Sequence, residues 1–329
     1  QPHQPMQIVS SSAQHYYVIQ NGVISKNSRS STPVFQAEHA TYQLEPGQNT
    51  LVVTLKAKQR GVLITKQYSF TRSNYAIKMQ TTVKNTSGTV WTGSFYHQIA
   101  RNKPLSSGHF SSMAYTGGSI STPDTPYHKL SFKDMSKENV NMMVKDGWVA
   151  MQQHYFLSAL IPTRGSTQNY YSHVQTSNSG IPTYFLGYNS NSIMLKPGAS
   201  YTNANVAYVG PELANRLAGL AHGLDLTVDY GWLSPISKII FGLMKKIHHF
   251  VGNWGWTIIL ITLFIKLLLY WPSAKSYRSM ARMKQLAPRM KSLQERHGSD
   301  RQALSKATME LYRKEKVNPM SGCLPMLVQ

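Results

Sequence analysis

The chain has 329 residues, enough for about two globular units, and a formal net charge of +21 from 34 Lys and Arg against 13 Asp and Glu. Its one cysteine, Cys323, excludes an internal disulfide, so any large domain must stand on its own core. A mean hydropathy of −0.31 reads as soluble, but it averages one long apolar run into a much larger polar region.

Residues 1–14 are polar and contain no apolar segment of the kind a signal peptide needs. From about 15 to 209 the pattern is all-β. Short runs of β-branched and aromatic residues recur at 51–56, 62–70, 75–84, 89–99, 148–161, 184–188, 192–196 and 201–209. Tyr75, Ile77 and Met79 alternate with more polar neighbours, as on a half-buried strand. Breakers separate the runs: Glu45-Pro46-Gly47, Asn85-Thr86-Ser87-Gly88 and Lys196-Pro197-Gly198. A Ser/Gly/Thr-rich loop spans 105–125. The fold class expected is mainly β, a long antiparallel sandwich.

Chemistry is sparse in this region. None of the twelve histidines has H-E-x-x-H spacing, and His97 and His154 read as structural or surface residues. Residues 1–234 carry nine acids, too few to argue for paired catalytic carboxylates. No metal, no cofactor and no enzymatic activity are expected.

Helix takes over at Gly210-Pro211-Glu212, with Leu213, Leu217 and Leu220 at helical spacing, and a linker over 223–234 follows with Trp232 near its end. Ile236, Ile239, Ile240, Leu243, Met244, Ile247 and Phe250 then line one helical face, and Lys238, Lys245, Lys246, His248 and His249 lie mostly on the other. Such a basic amphipathic helix suits a membrane interface, or alternatively packs on the sandwich; His248 and His249 are expected near the lipid boundary.

Residues 254–271, WGWTIILITLFIKLLLYW, are almost wholly apolar and are broken by one cation, Lys266. As helix they would extend roughly 27 Å, close to the thickness of a bilayer's hydrocarbon core. Trp254, Trp256, Tyr270 and Trp271 stand at the two ends, where aromatic rings favour the interface. A transmembrane helix is therefore expected over 252–272. Thr262, Lys266 and Tyr270 are four apart and share a helical face, which implies a polar cavity or a neighbouring helix. The other reading is that Lys266, five residues from Trp271, snorkels to the headgroups.

Pro272 marks the exit of the span. Residues 273–297 and 300–316 read as two helices around His297-Gly298-Ser299-Asp300, with apolar stripes of Met280, Met283, Ala287, Met290 and Leu293 and of Leu304, Ala307, Leu311 and Tyr312. The hairpin is basic: residues 272–319 hold twelve Lys and Arg against four acids, a net of +8. The rule that cations flank the cytoplasmic end of a span places 273–317 in the cytoplasm and 1–250 on the other side. That charge has three readings: topology signal, affinity for anionic lipid, or docking of partners. Its two tyrosines, Tyr277 and Tyr312, are too few for a stacking platform, so no specific nucleic acid is expected. The apolar run at 322–329 reads as the start of a further membrane segment, and the chain is expected to be a fragment lacking an N-terminal export or anchor segment.

Four strings in the second half point to one family: LDLTVDYGWL (224–233), HHFVGNWGWTIILIT (248–262), the charged hairpin, and KEKVNPMSGCLPMLVQ (314–329). Upstream, GWVAMQQHYFLSALIP (147–162) fits the same pattern. The chain resembles the YidC/Oxa/Alb family of membrane-protein insertases. The resemblance implies a large periplasmic β-supersandwich, galactose-mutarotase-like, over 1–210, a short helix and linker over 211–234, an interfacial amphipathic helix over 235–251, then the span, the cytoplasmic hairpin and a truncated segment over 318–329. It implies an inner-membrane insertase and chaperone, with the groove residues Lys266, Thr262 and Tyr270 receiving polar ends of substrates. Lys266 stands where the family pattern more often has arginine, and Tyr270-Trp271-Pro272 where it has Tyr-Pro; Tyr277 matches a family tyrosine or is an interfacial anchor. Implied partners are nascent membrane proteins, the Sec translocon (SecYEG, SecDF), the signal recognition particle and its receptor, the ribosome and the phospholipid bilayer. Their docking is assigned to Arg282, Lys284, Arg289, Lys291, Arg296, Arg313, Lys314 and Lys316. The rival reading is a membrane-anchored periplasmic carbohydrate-binding or modifying sandwich.

Overall fold

Period-two alternation makes strands the rule from Tyr17 to Pro211. The computed structural model describes residues 7–12, 15–25, 33–103, 115–153, 155–177, 180–228, 234–297 and 301–315. The chain divides into two units, residues 1–229 and 230–329.

In the first unit, β1 (Tyr17–Ser25), β2 (Gln36–Ala37), β3 (Thr50–Gln59), β4 (Val62–Thr71), β5 (Ala76–Asn85), β6 (Trp91–Asn102), β7 (Thr116–Ile120) and β8 (His128–Leu130) lead to a short helix, α1 (Phe132–Lys137). Then come β9 (Asn141–Lys145), β10 (Val149–Gln153), β11 (Phe156–Pro162), β12 (Thr167–Thr176), β13 (Pro182–Ser190), β14 (Ile193–Leu195) and β15 (Ser200–Pro211). All pairings are antiparallel. One sheet runs β1-β6-β13-β12-β9, with β14 also paired to β6; the other runs β2-β3-β4-β5-β15-β11-β10-β7-β8.

The core lies between these sheets. On β6 the odd residues Trp91, Phe95 and Ile99 are buried, and they meet Ile64, Met79, Val83 and Leu160 from the larger sheet. Each such side chain contributes roughly 1.5–3 kcal/mol by leaving water, which is how the sandwich stands without a disulfide. The inward positions of β5 are the odd ones, Met79, Thr81 and Val83, as its alternation predicts. Turn chemistry also follows expectation: Gly47 and Gly198 take φ of 85° and 80°, and the Ala199 N–H donates to the Lys196 carbonyl across Pro197-Gly198.

Other features depart from the sequence reading. Residues 148–161 are not one strand but the hairpin β10–β11, with Gln153 paired to Phe156. Both faces of β11 are buried, because the outer face of the larger sheet is covered by α2 (Ala214–Ala218) and a 3-10 turn (Leu224–Thr227). Leu217 and Leu224 pack there on Trp148, whose indole N–H donates to the His222 carbonyl at 3.0 Å. Helix does not begin at Pro211: that residue ends β15, opposite Phe156, and α2 is only five residues long. The helix α1 was not expected, although Ser131 and Asp134 form a reciprocal capping box at its start.

Two buried bases inside the sandwich are held by asparagines. His97 is 2% exposed, with Nε2 3.0 Å from both Asn203 Oδ1 and Asn205 Nδ2, and its ring stacks on Tyr188. The Lys66 ammonium donates to the Asn21 carbonyl at 2.6 Å and to Asn21 Oδ1 at 3.0 Å, and lies 4.4 Å above the Phe35 ring. Burial lowers both bases, His97 to about 4 and Lys66 to about 8. His97 is thus a core residue, and His154 lies outside the described residues.

The second unit is helical: α3 (Ser234–Val251), α4 (Trp254–Leu268), α5 (Tyr270–Gln285), α6 (Ala287–His297) and α7 (Arg301–Lys314).

Candidate functional site in the helical unit

The turn between α3 and α4 is built from two residues. Gly252 adopts φ of 68°, a left-handed conformation that closes α3 by donating its N–H to the His248 carbonyl at 2.7 Å. Asn253 then caps α4, accepting from the Gly255 and Trp256 N–H groups at 2.8 and 3.3 Å. His248 stacks on Trp254, ring centroids 4.0 Å apart and nearly parallel, which ties the end of one helix to the start of the next. The pair Gly252-Asn253 is a stop-and-start signal that the sequence itself carries, glycine ending one helix and asparagine capping the next.

On α4, Thr257 and Ile261 are the buried residues, and the helix packs against α3. Ile258, Ile259, Leu260, Leu263, Phe264, Leu267 and Leu268 are each 40–67% exposed. Trp254 and Trp256 at one end, and Tyr270 and Trp271 beyond the other, are exposed as well. An apolar surface this continuous has to be covered by something other than water.

Thr262 and Lys266 sit one turn apart on α4 and both are exposed. The Thr262 hydroxyl donates to the Ile258 carbonyl at 2.7 Å, so it needs no outside partner to sit in an apolar setting. Tyr270 does not share their helix. The chain leaves helical geometry at Leu269, with φ of −90° and ψ of 5°, and Tyr270 opens α5. Pro272 therefore does not end a helix: it lies in the first turn of α5, a position that tolerates a missing N–H. α4 is 15 residues long, about 22 Å at 1.5 Å per residue. Among the described residues, no helix is long and apolar enough to cross a membrane.

The basic segment holds three helices rather than two. The expected helix over 273–297 is divided at Leu286, because Pro288 has no N–H to give and its ring obstructs the carbonyl four residues back. As a first-turn residue of α6, that proline is accommodated. Leu286 is buried at the break, while Met290 and Leu293 on α6 and Leu304, Ala307, Leu311 and Tyr312 on α7 are half-buried. Arg289 at the start of α6 donates to Glu315 just past the end of α7, which fixes an antiparallel hairpin. That pair is half in water and adds at most about 1 kcal/mol; its effect is on register. Arg282, Lys284, Arg289, Lys291, Arg296, Arg313 and Lys314 are all exposed, and Tyr277 is 71% exposed. Residues 298–300, Lys316, Cys323 and the expected membrane segment over 318–329 lie outside the described residues.

Comparison with known proteins places both units. Residues 1–243 match the family model of the YidC periplasmic domain, and residues 246–329 match that of the 60Kd inner membrane protein. Relatives named membrane protein insertase YidC include those of Coxiella burnetii (strain RSA 493 / Nine Mile phase I), 48% identical over 99% of this chain and 58% of theirs, and of Pseudomonas fluorescens (strain SBW25), 41% identical over 100% and 59%. The protein of Legionella pneumophila (strain Corby) is 41% identical over 99% and 59%. This chain thus spans a little under three fifths of the length of these relatives. Among solved structures, a galactose mutarotase related enzyme from Lactobacillus acidophilus aligns over 53% of this chain and 70% of its own at 13% identity and a TM-score of 0.32, too loose to carry any inference. The chain belongs to the YidC family, its sandwich and the first part of α3 falling in the family's periplasmic domain and α4 to α7 in the 60Kd inner membrane protein segment.

Proposed function

We propose that this chain is the periplasmic domain and an adjoining membrane-associated part of a bacterial inner-membrane insertase, which helps nascent membrane proteins enter and fold in the bilayer without covalent chemistry. The observation that carries this reading is the surface of α4, an exposed aliphatic helix whose one cation is Lys266, one turn from Thr262. Relatives matched over nearly the whole of this chain are named insertases. In this reading the apolar run 254–271 is in the membrane, α4 supplying most of it and Tyr270 and Trp271 its cytoplasmic interface. Residues 1–250 face the periplasm and 273–317 the cytoplasm.

Lys266 attracts the polar or acidic end of an incoming protein. A cation at the bilayer centre costs about 2.5–3.5 kcal/mol on insertion scales, and less toward an interface, so a wet groove is enough to hold it. An ammonium is a point charge and offers no bidentate fork, so attraction here depends on charge rather than on planar geometry. The basic hairpin, through Arg282, Lys284, Arg289, Lys291, Arg296, Arg313, Lys314 and Lys316, meets lipid headgroups and recruits the ribosome, the signal recognition particle and its receptor, or the Sec translocon.

The test is insertion by the full-length protein of a substrate with an acidic translocated tail. Lys266→Arg is expected to retain activity, and Lys266→Ala to lose about tenfold, equal to ~1.4 kcal/mol of attraction. Undiminished insertion by the Ala variant would remove the groove role. The carbohydrate reading requires acids and aromatics together in one concave pocket, and the two clefts lined by Tyr16 and Asn102 hold no Asp or Glu among the described residues.

A further inference from the structure

At one end of the sandwich, where β1 begins and β6 finishes, residues 7–12, residues 15–17 and the end of β10 frame a cleft of about 640 Å³. Its lining includes Arg101, Lys103, His15, Ser11, Ser12 and Gln153, and among the described residues it contains no Asp or Glu. Arg101 is the unusual member. It is 4% exposed, and its guanidinium lies 4.6 Å over the Tyr17 ring. One terminal nitrogen donates to the Gln152 carbonyl at 3.0 Å, the other to Gln153 Oε1 at 2.9 Å. Both acceptors are neutral and engage two of the five N–H groups.

A guanidinium taken out of water without a carboxylate partner is costly. Burial pulls the Arg101 pKa down, yet arginine stays charged in any protein. A brace between the two sheets would need only a neutral donor, such as glutamine, to hold those same two oxygens. The charge is surplus to the brace, and it sits beside Lys103 and His15 in a cleft that water and solutes can enter.

We propose that this cleft binds a small soluble oxyanion, a carboxylate or phosphate group received by the N–H groups of Arg101 not bonded to the protein. Lys103 adds positive potential, and the His15 ring and the hydroxyls of Ser11 and Ser12 supply further donors. The inference stands on the sandwich alone and is independent of the insertase reading.

Calorimetric titration of the whole 329-residue chain in neutral detergent tests it, with inorganic phosphate, citrate and uncharged galactose as probes. One-site binding of phosphate or citrate is expected, weakened about tenfold or more by Arg101→Gln and severalfold by Lys103→Gln, with galactose silent. Where Arg101→Gln does not fold, Lys103→Gln at the rim carries the comparison. The proposal is overturned if neither anion saturates below roughly 10 mM, which is weak for a built site. It is equally overturned if affinity is unchanged in folded Arg101→Gln or in Lys103→Gln, or if galactose binds as well as the anions.

Discussion

His97 is enclosed between the two sheets, held by Asn203 and Asn205 and stacked on Tyr188, and burial keeps its imidazole neutral until about pH 4. In the unfolded chain the same ring takes its proton near 6.5. Between those values the unfolded state binds more protons than the native one, so stability falls as pH drops from 6.5 toward 4. The full effect of this one residue is at most about 3 kcal/mol. Lys66 acts by the same sign in another window: its native pKa near 8 against 10.5 unfolded makes stability rise between those two values. His97→Gln keeps a donor and an acceptor near the two asparagines but cannot titrate. Chemical denaturation at pH 6.5 and 4.5 is therefore expected to show a smaller acid loss in the variant than in the parent. The other acid-sensitive groups are common to both proteins and cancel. Equal losses would mean that His97 already charges inside the native sandwich.

At the scale of elements, the helical unit shows three local breaks among the described residues, at Gly252-Asn253, Leu269 and Leu286. The break at Leu286 depends on Pro288, because the flanking residues Gln285, Ala287 and Arg289 are good helix formers. Pro288→Ala is expected to let α5 run into α6, making 278–291 one straight helix about 20 Å long between its ends. Spin labels at Arg278 and Lys291 measure that distance; an unchanged separation would show that packing around Leu286, not proline, divides the helices. These breaks also show what the sequence makes legible. The strands β3, β4, β5, β6 and β15 are evident because enough of their inward positions are apolar or β-branched to show the alternation, Lys66, His97 and Asn205 notwithstanding, and turn residues bound them. The strand β12 is hidden because its inward set is Gln168, Tyr170 and Ser172, polar side chains that burial by neighbouring strands forces inside. The residue types at the site, Lys266, Thr262 and Tyr270, stand out as a polar stripe in an apolar run. Their division over two helices does not, because the turn at Leu269 uses a residue with good helix propensity. Arg101 is invisible for another reason: only the sheet pairing sets it over Tyr17 and against Gln152 and Gln153.

Charge is distributed over the whole molecule in a way that bears on orientation. Residues 1–234 carry eighteen cations and nine acids spread along the sandwich, whereas 272–319 carry twelve and four within fifty residues of an apolar run. Orientation responds to cations close to the ends of a span and not to those of a long folded domain, so the hairpin is the segment that decides it. Arg282, Lys284, Arg289, Lys291 and Arg296 are exposed and lie on α5 and α6, and of these five only Arg289 forms an ion pair among the described residues, with Glu315. Replacing Arg282, Lys284, Lys291 and Arg296 with glutamine leaves that pair intact, so folding of the hairpin is preserved while half of its net charge is removed. The full-length protein with every native cysteine, Cys323 included, replaced by alanine and one cysteine introduced at Ser292 is then expected to label from the cytoplasmic face alone in the parent background, and from both faces in the fourfold variant. A cysteine at Ser87, in the turn after β5, should show the reverse pattern in the same membranes. If the fourfold variant keeps a single orientation, the positive hairpin does not set topology, and its charge has to be explained by lipids or by the partners it docks.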